Sequence, residues 1–125
     1  MNSKTVLLVK AVISVVLALL MLFLPSTFGG WFGLPSQDVG NLMARFFGVA
    51  LLGIGLICYV SSSATASALR KNVILSLFIT DTIGFILALI AQLQGAFNGL
   101  GWLIVALWLI LALLLGYFYF LRPED

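Results

Sequence analysis

Four uninterrupted apolar stretches, at 5–24, 39–60, 72–93 and 100–121, limit what this chain can fold into more than any other feature. Each is close to the roughly 20 residues that cross a ~30 Å hydrocarbon layer at about 1.5 Å per helical residue. The runs are continuous, where a half-buried strand would alternate apolar with polar residues. Inside lipid, a helix satisfies its backbone donors and acceptors within its own segment. Composition agrees. Only 8% of the residues are charged, against about 25% in soluble domains, too few to coat a globule in water. The expected fold is all-α, a single-domain four-transmembrane-helix bundle over residues 1–125 with the lipid bilayer as its solvent.

The residue inventory removes several functions. There is no histidine, which takes away the usual acid/base group near neutral pH and the commonest metal ligand. Cys58 is the sole cysteine, so no internal disulfide, thiolate zinc cluster or CxxC redox pair can form; it reads as a small apolar packing residue. A net charge of +2 on scattered basic residues does not make a nucleic-acid surface. No nucleophile–base pair, metal-ligand cluster or phosphate loop stands out, so catalysis is not expected.

The connections between runs have their own chemistry. Residues 25–35 carry three glycines, two prolines and the aromatics Phe28, Trp31 and Phe32. That mixture stops the first helix and suits the headgroup zone, as a loop or a short helix lying on the surface. Ser36 or Asp38 can then cap the second helix. Residues 61–67 form a polar linker of small side chains. The Gly95–Gly99 spacing falls in a turn between helices three and four, where it acts as loop chemistry and not as a helix-dimer motif. The first run reads as a retained helix, since no A-x-A cleavage pattern follows it.

Orientation follows from the basic residues. Lys4, Lys10, Arg70, Lys71 and Arg122 fall on one side, and the other two loops carry no Lys or Arg. This asymmetry puts both termini in the cytoplasm, with a bacterial cytoplasmic (inner) membrane as the expected location. Lys10 lies inside the first run near its cytoplasmic end, where a long side chain can snorkel to the interface.

Asp81 is the polar residue that most needs an explanation. It sits deep in the third run, and a carboxylate facing lipid there costs at least about 2.5–3.5 kcal/mol on insertion scales. It is expected to face inward, to be protonated, or to be paired. Arg45, in the second run, is the expected partner of an intramembrane polar pair. Small residues support this packing: Gly48 and Gly55 share a face with Arg45, and Ser76, Thr80, Gly84 and Ala88 make an i, i+4 stripe beside Asp81. Such stripes let helix backbones approach closely. Helices two and three are therefore expected to pack along these faces. Trp31, Phe32, Trp102, Tyr117 and Tyr119 are expected as interfacial aromatics. Trp108 lies deeper, for packing or lipid contact.

The stretch ARFFGVALLGIGLICYV at 44–60, the stretch QLQGAFNGLGWLIVALWLILALLLGYFYF at 92–120 and the FGLP loop at 32–35 resemble a family of small bacterial four-helix membrane proteins, loosely grouped as DoxX-like. The resemblance implies a four-helix membrane fold and assigns no catalytic residue.

The function expected from these features is that of a non-catalytic accessory or scaffolding subunit. It would pack within a larger membrane-protein complex of respiratory or photosynthetic type, with other membrane-protein subunits as partners. One alternative is a small oligomeric transporter or channel using Asp81 and Arg45. Another is a binder of a lipid, quinone or pigment held between helices. No cofactor is otherwise expected.

Overall fold

The computed structural model describes residues 2–63 and 67–121. Among them are five α-helices: α1 (Ser3–Phe23), α2 (Pro25–Trp31), α3 (Asp38–Ser62), α4 (Ser67–Leu93) and α5 (Gly101–Gly116). The last runs into a π-helical turn, Tyr117–Leu121. Four segments (α1, α3, α4, and α5 with its π turn) are long and apolar enough to cross a membrane. Their outward surface is apolar: Val12, Phe46, Leu87 and Leu113 are all at least 60% exposed.

Local sequence sets the helix ends. Asn2 caps α1 through its side-chain oxygen, which accepts from the Thr5 N–H at 3.0 Å, satisfying one of the free donors of the first turn. Pro25 cannot donate to the α1 ladder but has the right φ to open α2. The broken segment after the first run is thus a short helix. Its exit turns on Gly33 at φ +82°, a conformation that a side chain disfavours. The expected caps on α3 are not the ones used. Gln37 occupies the N-cap without a side-chain bond, and Asp38 lies inside the first turn. The Ser36 hydroxyl accepts from the Asn41 side chain instead, at 3.2 Å. The polar linker is shorter than expected, because α3 continues through Ser61 and Ser62, both buried. Residues 64–66, and Arg122 with its orientation signal, lie outside the described residues.

The helices associate as two antiparallel pairs, α1 with α3 and α4 with α5. The small residues explain the first pair. Ala11 and Ala18 of α1 face Gly55 and Gly48 of α3. A Cβ added to Gly55 would lie 2.7 Å from Val15 Cγ2 and 3.3 Å from the Ala11 carbonyl oxygen, and one added to Gly48 would lie 3.1 Å from the Ala18 carbonyl oxygen. The expected seam between α3 and α4 does not form. Gly48 and Gly55 are packing residues, but their partner is α1. On α4, Gly84 lies against Trp108 of α5 and Ala88 is buried, while Ser76 and Thr80 are exposed. The stripe is split because α4 turns Ile74, Leu77, Asp81 and Ala88 inward. An open cleft of about 290 Å³ remains between α3 and α4.

The two pairs are joined at one end of the bundle. There Val6 and Leu7 of α1, Cys58 of α3, Ile74 of α4, and Leu115 and Phe118 at the end of the fourth span form the buried core. The start of the first span and the end of the fourth therefore share one end.

At the opposite end, Asn98 ties the turn after α4 to α2. Its backbone N–H donates to Phe32 O at 2.9 Å, and its side-chain amide donates to Trp31 O at 3.2 Å. Its own oxygens accept from Leu100 N–H, Gly101 N–H and Gln92 Nε2.

Candidate functional site

The buried charge of this protein is concentrated where α1 meets α4. Lys10 is 4% and Asp81 1% exposed. The Lys10 ammonium donates to both carboxylate oxygens, at 2.8 Å to Oδ1 and 2.9 Å to Oδ2. Either charge alone would be expensive at this depth, so each makes the other tolerable. Asp81 faces inward and is paired, as its depth requires. Its partner, however, is Lys10 and not Arg45, and Lys10 does not snorkel outward.

Helix geometry explains the change of partner. Ser3, Leu7, Lys10 and Ser14 follow one another at spacings of four, three and four residues, which places them on one face of α1. All four are buried, so that face points into the bundle. A lysine there reaches α4 more easily than lipid headgroups. Arg45 is exposed on α3 and its Nε donates to Leu22 O at 3.3 Å. Leu22 lies in the last turn of α1, whose carbonyls lack helical partners and carry the negative end of the helix dipole. Arg45 thus serves as a C-terminal cap for its neighbour.

Trp108 completes the site. Its ring centre is 5.4 Å from the Lys10 ammonium, within cation–π range. Gly84, three residues past Asp81, makes the room, since a Cβ there would lie 2.5 Å from Trp108 Cε3. Of the two expected roles, Trp108 therefore takes packing. A missing side chain on α4, an aromatic on α5 and a cation on α1 together form one unit.

Above this unit lies a cavity of about 180 Å³ between α1, α3 and α5, roofed by Phe28 and Phe32 from the α2 segment. Lys10, Ser14 and Trp108 border one end, and the rest of the lining is apolar. Asp81 does not line it, and the Lys10 ammonium is bound to that carboxylate. Phe32, expected at the interface, lines this cavity and meets Phe28 and Phe97 edge-on. Trp31, Trp102 and Tyr117 are exposed near the ends of their helices. Tyr119 is half-buried and packs against the core.

Comparison of the chain with protein-family models, with curated proteins and with solved structures returns no match.

Proposed function

We propose that this protein is a non-catalytic integral membrane subunit that packs within a larger membrane-protein assembly. One observation carries the reading: α3 and α4 are consecutive in sequence, yet they leave a cleft of about 290 Å³ between them. Ile54 and Ile57 wall it on one side, and Asn72, Val73, Ser76 and Leu77 on the other. The polar side chains of Asn72 and Ser76 are exposed there. A polar group facing acyl chains gains from a neighbouring helix that offers a hydrogen bond, and small side chains permit the approach. The occupant proposed is one transmembrane helix of a different chain. The alternative of an ion-coupled path through Asp81 and Arg45 loses its motive, because the two residues are engaged elsewhere.

Both termini are assigned to the cytoplasm. Support comes from Lys4, Arg70 and Lys71 at the core end of the bundle, with the sequence of Arg122 in agreement. Lys10 no longer counts, since its charge is neutralised internally.

Gentle detergent extraction, sizing and mass spectrometry of co-eluting chains test the subunit reading. A stoichiometric partner is expected, and Ser76→Trp, which plugs the cleft, should release it while the bundle stays folded. A lone monomer, or a particle holding only copies of this chain, would overturn the reading.

A further inference from the structure

We infer that the cavity above Lys10 binds a neutral, single-chain lipophile whose buried end carries one hydrogen-bond acceptor, such as a carbonyl oxygen. This inference is independent of the partner assigned to the α3/α4 cleft, since α4 contributes nothing to the cavity lining.

The shape selects the chain. Along α1 the lining runs from Lys10 to Met21, about 16 Å at 1.5 Å per residue. A volume of about 180 Å³ spread over that length is a narrow slot. It is larger than the ~150 Å³ engineered apolar cavity that takes up benzene, but too slender for a fused ring system. Phe47 of α3 and Leu103 of α5 line the slot and are also 43% and 62% exposed. They form a rim between α3 and α5, so the slot opens sideways to the surface that lipid covers. Its ligand enters from the membrane.

The floor selects the polar end. An ammonium has three N–H donors and no acceptor. The two Asp81 oxygens accept from Lys10, which leaves the ammonium one further donor to offer a ligand. Ser14, one turn further along α1, is 2% exposed and lines the same floor. Its hydroxyl takes part in none of the side-chain hydrogen bonds that Asn2 and Lys10 make along α1. The contrast with α4 is informative: Ser76, Thr80 and Thr82 all donate back to their own helix. A hydroxyl on the cavity floor, next to an ammonium with a further donor, suits an oxygen atom that brings lone pairs. The charge balance selects against an anion. Asp81 already neutralises Lys10, so a carboxylate ligand would enter as an uncompensated charge, at high cost in an apolar slot.

The test uses the full chain in detergent with Trp31→Phe and Trp102→Phe, which leaves Trp108 as the only tryptophan. The probe is a long-chain methyl ketone brominated at mid-chain, and bromine quenching of Trp108 fluorescence reads its occupancy. Saturable quenching is expected. The bromoalkane of equal length should bind roughly three- to tenfold more weakly, and so should the ketone to Ser14→Ala, the loss of about one hydrogen bond. Leu17→Phe, which fills the slot, should abolish saturation. The matching bromocarboxylate should bind more weakly than the ketone. Quenching that rises linearly and equally in every variant would mean partition into detergent alone and would overturn the site. Equal binding of alkane and ketone, with no effect of Ser14→Ala, would overturn the assignment of the floor. Tighter binding of the carboxylate would overturn the neutral ligand.

Discussion

Lys10 shows how far a single side chain can be read from a sequence. Its depth in the first apolar run was legible, but the direction in which it points was not. Depth follows from counting residues, whereas direction depends on which face of α1 the other helices cover. The signal was present in the spacing of Ser3, Leu7, Lys10 and Ser14, which marks a face too polar for lipid. Arg45 differs from its expected pairing for a related reason. Consecutive helices need not be neighbours, and here α1 lies between Arg45 and Asp81, with its last turn bound by one and its Lys10 by the other. Thermal unfolding in micelles separates the two pairings. Asp81→Asn leaves the Lys10 ammonium buried without its counter-charge and should cost about 3–5 kcal/mol. Adding Lys10→Met should recover much of that loss, because the paired charges disappear together. Combining Asp81→Asn with Arg45→Met should instead be additive to within about 0.5 kcal/mol. Coupling to Arg45 and none to Lys10 would reverse the assignment.

At the scale of the element, the four spans and their turns were plain in the hydropathy. Helix ends shifted most where polar residues could still continue a helix, as at Ser61 and Ser62 and at the start of α4. The pairing of helices was harder to see. Gly48 and Gly55 announce a close approach, but a glycine stripe carries no address for its partner. That address lies in Ala11 and Ala18, whose seven-residue spacing on α1 matches the seven between the two glycines. A pair of substitutions tests the seam. Gly55→Val must place its branched side chain where Val15 already stands and should destabilise by about 1–3 kcal/mol, as overpacking does. Gly53→Ala, two residues away, meets nothing within 4 Å. It should be neutral or stabilising by up to about 1 kcal/mol, from the lower backbone entropy of alanine. Unfolding of the two variants side by side gives the comparison. Equal effects would mean that α3 meets α1 along some other face.

For the whole molecule, the question is how the bundle sits in the bilayer. Its two ends differ in chemistry. The core end carries Lys4, Arg70 and Lys71, while the α2 end is closed by aromatics and by the five hydrogen bonds around Asn98. Cationic loops resist translocation and aromatic ones do not, so the core end should stay in the cytoplasm. Removing Lys10 from the count weakens this asymmetry without reversing it, because the α2 end has only Arg45 nearby, and that guanidinium is bound to α1. Thiol labelling in a bacterial host reads the result. Cys58 is fully buried, and Cys58→Ala supplies a background with no native thiol. In that background, Gln94→Cys on the turn after α4 should react with a membrane-impermeant maleimide on intact cells. Lys4→Cys should react only once the membrane is inverted or opened. The opposite pattern would place the aromatic end inside and show that the charges outside the described residues, or a partner chain, govern insertion. Labelling of both sites from the same face would be the graver outcome, since the number of spans fixes these two positions on opposite sides of the bilayer.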